Sequence, residues 1–187
     1  MDFNMKIQAW RHLKTITRHK WMVLKGCFKL GMYKQGLLHD LSKYSPTEFI
    51  PGALYYQGFR SPCNSEREAL GFSRAWLHHK GRNKHHYEYW IDYAATEGRG
   101  MFPAPIPVRY IVEMFVDRVA ASKIYNGENY TDQSPLDYYN GGKKHMMIHE
   151  DSRKLLEGLL KMLAKEGEKK TFRYIKYRIV KNKHFYR

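Results

Sequence analysis

Residues 108–125 read VRYIVEMFVDRVAASKIY, and this stretch gives the clearest helical pattern in the chain. Its apolar side chains recur at steps of three and four residues, which is the spacing of one face of an α-helix. The apolar stripe is broad, so we expect this helix to lie in a protein core. The carboxylate of Asp117 lies in the middle of the stretch, where an ionised side chain needs a metal ion or a cationic partner.

Helical patterns continue on both sides of this stretch, while no segment alternates long enough to indicate a strand. Ser65 and Glu68 have the spacing of a capping box at the start of one helix. The predicted helices cover residues 5–31, 35–43, 65–79, 85–96, 108–125, 143–165 and 172–182. Loops rich in Gly, Pro, Ser or Asn are predicted over residues 51–65, 98–107 and 126–142.

The sequence therefore predicts an all-α fold, in which residues 1–187 form one compact helical bundle with a basic C-terminal helix or tail at about 166–187. The hydrophobic content of 43% and the aromatic content of 15% are typical of a folded domain rather than a disordered chain. No apolar run approaches the length of a membrane span, and the N-terminus lacks the apolar core of a signal peptide. The cysteines, Cys27 and Cys63, lie far apart, so we expect a reduced, cytoplasmic protein.

The net charge of +15 is concentrated at the two ends of the chain. Residues 1–34 contain eight Lys and Arg against one acid, and residues 165–187 contain nine against two, so each end contributes +7. A positive field of this kind attracts nucleotides, nucleic acid or an acidic membrane surface. The alternative is that these charges only keep solvated helix faces soluble.

An adjacent imidazole and carboxylate occur at His39 and Asp40, in the sequence LHDLSK at residues 38–43. The pair suits a divalent metal of borderline hardness, which can generate hydroxide from bound water and clamp a phosphate. The neighbouring leucines place the pair in apolar surroundings, where an ionised carboxylate must be paired. The alternative for Asp40 is a salt bridge to Lys43 or to a helix N-terminus. Lys43 lies on the same face as Asp40 and could equally contact a substrate phosphate.

Histidines are concentrated in WLHHKGRNKHH at residues 76–86, with four histidines in nine residues. His79 shares a helix face with the aromatic residues three and seven positions before it, so it is favoured over His78 as the inward side chain. Either or both of His85 and His86 could bind a metal. The alternative is a basic loop that meets a polyanion.

One further histidine, His19, projects from the apolar face of the first predicted helix. An isolated histidine in such a place is usually a core residue with a satisfied hydrogen bond, and this is the alternative to a ligand. The corresponding alternative for Asp117 is an exposed carboxylate that pairs with Arg118 or Arg109.

The order His, His-Asp, His, His and Asp on successive helices resembles the HD-domain superfamily of metal-dependent phosphohydrolases. The run HDLSK at residues 39–43 is similar to the His-Asp-x-Gly-Lys turn of several branches, with Ser42 in place of Gly. No Gly-Tyr-Pro motif follows the histidine pair, so the chain departs from the branch that hydrolyses cyclic di-GMP.

A closer resemblance, over about residues 5–165, is to a family of small bacterial and phage proteins of unknown function. It is carried by the segment around His19, by GLLHDLSKYSPTEF at residues 36–49 and by HHKGRNKHHYEYW at residues 78–90. The family carries the motif HDLSKYSPTEF, and the resemblance is specific, but it supplies no substrate.

The HD-domain resemblance implies one or two divalent ions, which could be Mn, Fe, Zn, Mg or Ni. A second ion is favoured by the additional histidines, with Asp40 as the bridge between the two sites. The implied ligands of the first ion are His19, His39, Asp40 and Asp117, and those of the second are Asp40, His79 and His85 or His86.

The sequence thus predicts a hydrolase of a phosphorylated small molecule, with a nucleotide favoured, by attack of metal-bound hydroxide on phosphorus. Asp40 and Lys43 are the expected catalytic residues, and Lys43, Arg82 and Lys84 are expected to hold the phosphate. The alternative is a non-enzymatic nucleic-acid-binding protein, in which the basic ends and the tail at residues 172–178 track a phosphate backbone. A scaffold without activity is a third interpretation.

Overall fold

A computed structural model of the protein describes residues 3–95 and 100–182, and it confirms the all-α class. Short 3-10 turns connect several of the helices, and a π-helical turn, Ile175–Val180, ends the described chain. A small antiparallel hairpin pairs β1, Ile91–Tyr93, with β2, Met101–Pro103. The helices are α1 Phe3–Leu30, α2 Tyr33–Leu38, α3 Pro46–Leu54, α4 Pro62–Leu70, α5 Arg74–Lys80, α6 Val108–Asn126, α7 Ser134–Gly142 and α8 Glu150–Tyr174.

The hydrophobic core lies between α1, α6 and α8. Residues 111–116 of α6 are all buried, as the apolar pattern predicted. Gly26 permits the close approach of α1 to α6, because a Cβ at this position would lie 2.6 Å from Cγ1 of Val116. Leu160 of α8 and Phe172 close the core from the other side. The packing of α1 on α6 places His19 beside Asp117.

The helix predicted over residues 35–43 is interrupted, and this part of the prediction is wrong. α2 ends at Leu38, and a 3-10 turn, Leu41–Tyr44, follows. Asp40 between them has a φ of 53°, and it is the only residue other than glycine with a positive φ in the described chain. Asp adopts this left-handed conformation more readily than most residues, but helical periodicity does not reveal it.

The helix predicted over residues 65–79 is also two helices. The chain turns at Gly71, whose φ of 79° ends α4, and α5 begins after Ser73. Ser73, rather than Ser65, is the capping residue, since its Oγ accepts a hydrogen bond from the backbone N–H of Trp76. Ser65 lies within α4, which begins at Pro62 and not in a loop.

Four other predicted boundaries are wrong, and one of them is the loop predicted over 98–107, which contains strand β2. The helix predicted over residues 85–96 is a turn, a 3-10 helix at Tyr87–Trp90 and strand β1, while Thr96 lies outside the described residues. The loop predicted over 126–142 contains α7, and the loop over 51–65 begins inside α3, which continues through Pro51.

The last two predicted helices, over 143–165 and 172–182, are present with shifted bounds, and a break at Gly167 separates them. α8 begins only at Glu150 and continues to Tyr174, with a break at Gly167, where φ is 80°. The basic tail predicted at 166–187 therefore begins at this break, and residues 183–187 lie outside the described part. Among the described residues, no helix has both the length and the apolar composition needed to cross a membrane.

Candidate metal centre

The structure brings together all seven residues that the sequence analysis proposed as metal ligands. They form two groups of four, here called the first and second quartets, and within each quartet the candidate ligand atoms all lie within 4.8 Å of one another. Asp40 belongs to both quartets. The first quartet is His19, His39, Asp40 and Asp117, and the second is Asp40, His79, His85 and His86.

The first quartet joins α1, the turn after α2, and α6. Nε2 of His19 lies 2.9 Å from Oδ1 of Asp117 and 3.7 Å from Oδ2 of Asp40. Nε2 of His39 lies 3.3 Å from the same Asp40 oxygen and 3.6 Å from Oδ1 of Asp117. Two imidazole nitrogens and two carboxylates therefore face one small space.

The second quartet uses the other oxygen of Asp40. Nε2 atoms of His79 and His85 each lie 3.3 Å from Oδ1 of Asp40. Nε2 of His86 lies 2.9 Å from Nε2 of His79. Asp40 thus presents one carboxylate oxygen to each quartet, and both His85 and His86 belong to the second one.

Several of the atoms at the centre have no hydrogen-bonding partner. Buried polar atoms are normally hydrogen-bonded, so such a concentration at one place requires an explanation. A metal ion is a suitable partner, because neutral imidazole and ionised carboxylate are its ordinary ligands. Buried atoms without a hydrogen bond in the described structure include Nε2 of His39 and His85 and Oδ1 of Asp40, whereas Oδ2 of Asp40 is paired with Lys43. The quartets could therefore hold a metal ion.

Two buried glutamates contact the Nδ1 atoms of three quartet histidines, on the side of each ring opposite Nε2. Oε1 of Glu113 lies 2.9 Å from Nδ1 of His39 and 3.2 Å from Nδ1 of His85. Oε2 of Glu48 lies 2.7 Å from Nδ1 of His79. When Nδ1–H donates to a carboxylate, the lone pair of Nε2 is left facing the centre, which is the usual outer arrangement of metal-binding histidines.

Sequence reasoning missed both of these glutamates. Glu113 lies one turn before Asp117 in the same apolar run, so the signal that identified Asp117 was also present for Glu113. Glu48 lies in the first turn of α3, where a carboxylate is common because it interacts favourably with the helix dipole. Its position in the sequence therefore gave no indication of its two histidine partners.

The two histidines of α5 have different surroundings. His78 lies outside both quartets, and its Nδ1 contacts Oε1 of Glu48 at 2.6 Å. The turn that follows α5 is fixed by Asn83, whose Nδ2 donates to the backbone oxygen of His79 at 2.8 Å and to Oγ of Ser42 at 2.9 Å. Asn83 thereby connects the His79 segment to the turn that carries Asp40.

The carboxylates of the centre are strongly biased towards the ionised form. Burial alone would raise the pKa of Asp40, but the electrostatic interactions with His39, Lys43 and His79 hold this pKa well below its usual range. Burial is likewise outweighed at Asp117, where contacts with His19 and His39 lower the pKa. Both carboxylates are therefore available as ligands near neutral pH.

The pKa values of the histidines shift in different directions, depending on the groups around each ring. Burial lowers the pKa of His19, and burial together with the adjacent His85 and His79 lowers the pKa of His86 well below its usual range. At His39 the carboxylate of Asp40 and its neighbours outweigh burial, and the pKa is raised well above the ordinary value. A metal that binds Nε2 of His39 must therefore displace a proton.

The three predicted phosphate-binding cations do not share one pocket. Nζ of Lys43 lies 2.5 Å from Oδ2 of Asp40, so the salt bridge considered as an alternative for Asp40 is present. The Lys43 side chain is 31% exposed at the edge of the first quartet. Arg82 and Lys84 instead line a separate cleft behind His85, and Lys43 does not line that cleft.

Residues 8–162 match the model of a protein family described as "Family of unknown function (DUF5662)". The chain belongs to this family. No curated protein and no solved structure matches the chain. The DUF5662 match includes both quartets and the two glutamates behind them, and it ends before the break in α8 at Gly167.

Proposed function

We propose that this protein is a metal-dependent phosphohydrolase of the HD-domain kind, acting on a phosphate ester and preferably on a nucleotide. The observation that supports this most is the convergence of histidine Nε2 atoms on both oxygens of Asp40. Nδ1 atoms of the same histidines are fixed by Glu113 and Glu48. Such an arrangement is expected of a centre whose histidines are held ready as ligands.

The donor set favours divalent ions that accept both nitrogen and oxygen. Mn, Fe, Zn, Mg and Ni are all compatible with mixed imidazole and carboxylate ligation. A purely structural zinc site would more often be built from cysteines, and both cysteines lie outside the two quartets. Since Asp40 presents one oxygen to each quartet, we propose two ions with Asp40 between them.

The chemistry follows from the ions and from Lys43. A divalent ion in this centre would polarise a phosphoryl oxygen and lower the pKa of a coordinated water. Lys43 remains charged, because the carboxylate of Asp40 raises its pKa despite partial desolvation. Its ammonium group can therefore donate to a phosphoryl oxygen at the edge of the first quartet, and the surrounding low dielectric strengthens this interaction.

The test is metal content and phosphate release of the untagged protein purified without chelator. Asp40→Asn is the diagnostic variant, because Asn tolerates the left-handed backbone of this position and removes the shared charge. Asp137→Asn, an exposed carboxylate of α7, is the matched control. We expect one or two equivalents of metal in the wild type and the control, and a large loss in Asp40→Asn.

Phosphate release is then measured on a panel of nucleotides and phosphodiesters with each of the five metals. Release that requires metal and is lost in Asp40→Asn supports the hydrolase. Bound metal without release from any substrate would reject the hydrolase and leave a metal centre. If the wild type neither contains metal nor is stabilised by added metal, the proposal is wrong in both parts.

The alternative of nucleic-acid binding has one supporting observation. Tyr174 and Tyr177 are exposed on the C-terminal segment between the exposed side chains of Arg173 and Arg178. If this surface binds a nucleic acid, the affinity should fall steeply with salt and be lost in Arg173→Gln/Arg178→Gln. The same variant should leave hydrolysis of small nucleotides unchanged.

A further inference from the structure

A cleft of about 350 Å³ lies behind the second quartet, between α2, the turn after α5, and the first turn of α6. His85 and Glu113 form part of its wall, so it adjoins the candidate metal centre. The other lining residues are Lys34, Gln35, Leu38, Arg82, Asn83, Lys84, Arg109 and Tyr110.

The charge of this cleft is strongly positive. Lys34, Arg82, Lys84 and Arg109 line it, and across residues 3–95 and 100–182 none of these four forms an ion pair with a carboxylate. Glu113 is the one acidic lining residue, and its carboxylate is already occupied by two histidines. Four cations without acidic partners in one cleft call for a ligand with several negative charges.

The position of α6 also favours a negatively charged ligand in the cleft. Arg109 and Tyr110 lie in the first turn of this helix, and the positive end of a helix dipole favours phosphate groups. Leu38 and Tyr110 provide an apolar part of the wall, which a nucleobase can contact. The cleft is confined to ten residues, which suits a small ligand better than an extended polymer.

We propose that this cleft binds the phosphate chain of a nucleoside polyphosphate. The inference rests on the proposed function, because it names the substrate class of the same centre. Arg82, Lys84, Lys34 and Arg109 would hold phosphates of the chain, and His85 and Glu113 lie between this cleft and the metal centre. A ligand with one phosphate would leave most of these cations unpaired.

The test is equilibrium binding by calorimetry in the presence of EDTA, with inorganic triphosphate, ATP and AMP as probes. We expect triphosphate and ATP to bind at least tenfold more tightly than AMP. Lys84→Gln/Arg109→Gln should weaken triphosphate binding at least tenfold. The control Lys165→Gln/Lys169→Gln removes the same charge from exposed positions of α8 and should change the affinity less than twofold.

A second variant, Lys34→Gln/Arg82→Gln, changes only exposed side chains and repeats the test if the first one does not fold. The proposal is overturned if triphosphate does not bind the wild type, or if the cleft and control variants lose the same affinity. It is also overturned if a single-stranded oligonucleotide binds the cleft more tightly than ATP, since the ligand would then be a nucleic acid.

Asp40→Asn separates this inference from the proposed function. Triphosphate binding in EDTA should be within threefold of the wild-type value in this variant, because the cleft does not use Asp40. Loss of binding in Asp40→Asn with retention in the cleft variants would place the anion at the metal centre and reject the cleft. Tight triphosphate binding without metal uptake would instead leave the cleft established and the hydrolase rejected.

Discussion

Glu113 holds two histidines that come from different segments of the chain, so one carboxylate orients a member of each quartet. Glu113→Gln keeps the size of the side chain but removes its charge and half of its capacity to accept hydrogen bonds. If the quartets bind metal as proposed, we expect metal affinity to fall about 10- to 100-fold, the usual effect of removing a carboxylate that orients metal-binding histidines. Competition with a chromophoric chelator measures this change.

Glu157→Gln is the control for this experiment, because Glu157 accepts a hydrogen bond from Tyr139 outside both quartets. Glu48→Gln should mainly affect the second quartet, since Glu48 contacts His79 but neither His39 nor His85. Equal metal affinity in Glu113→Gln and the wild type would show that Glu113 does not orient the ligands.

His12 is a buried histidine outside both quartets, and its pKa is lowered to about 4 by burial and by the charge of Lys43. Its ring lies against Gly52, where a Cβ would be only 2.4 Å from Nε2. The unfolded chain therefore binds a proton below about pH 6.5, but the folded chain does so only near pH 4. Stability from this residue is complete above pH 6.5 and is lost as the pH falls towards 4. Its size is on the order of 3 kcal/mol.

Urea denaturation in EDTA between pH 4 and 7 tests the contribution of His12. His12→Gln does not titrate, so the free energy of unfolding should depend less steeply on pH than in the wild type. His145→Gln, at an exposed histidine, should retain the wild-type slope. Parallel slopes in all three proteins would contradict the assignment.

At the scale of single elements, the N-terminus of α5 is capped by Ser73, and Glu66 in turn binds the Ser73 hydroxyl. Ser73 accepts a hydrogen bond from the N–H of Trp76, and its own hydroxyl donates to Glu66 at 2.5 Å. Ser73→Ala should cost about 1 kcal/mol of stability, which denaturant unfolding measures. Ser61→Ala is the matched control, because Ser61 precedes α4 in the same position but makes no capping hydrogen bond. Equal losses in the two variants would mean that the cap does not stabilise α5.

The elements also show which parts of the fold could be predicted. α1 and α6 carry uninterrupted apolar stripes, and their predicted bounds agree closely with the structure. The breaks at Asp40 and Gly71 each depend on one residue with a positive φ, and a periodic pattern does not encode this. The hairpin β1–β2 has only three residues per strand, too few for alternation to be recognised.

The candidate site was easier to predict than the bounds of the helices. Histidines and carboxylates in apolar surroundings are uncommon, and residue type together with helix phase and the HD-domain resemblance identified the seven members of the quartets, with the choice between His85 and His86 left open. Their division into two quartets came from a resemblance, because helix phase cannot assign partners between segments that are distant in the sequence. Glu48 lacked such a signal. It contacts Nδ1 of His79, but it lies in the first turn of a helix, where glutamate is common.

At the scale of the whole molecule, metal binding and folding should be linked. An ion present at 100 times its dissociation constant stabilises the folded state by about 2.7 kcal/mol. For a domain of this size, this raises Tm by roughly 5–10 °C. We expect the rise in the wild type, a smaller one in His19→Gln or His86→Gln, and none in Asp40→Asn, because only Asp40 belongs to both quartets.

Metal content measured beside Tm distinguishes two ions from one. If each quartet holds its own ion, His19→Gln and His86→Gln should each lose about one equivalent and Asp40→Asn should lose both. A single ion shared by all seven residues would instead give the same stoichiometry in every variant that still binds metal. That result would reject the two-ion part of the proposal.

The chain order of the centre has a consequence for synthesis on the ribosome. His19, Asp40 and His86 emerge early, but Glu113 and Asp117 arrive together on α6, the last element to contribute to the centre. Glu113 is also the residue that orients His39 and His85, so neither quartet reaches its final form before α6 has left the exit tunnel. If the centre binds metal as proposed, the nascent chain would acquire its full affinity only when α6 packs on α1 and contributes to the hydrophobic core.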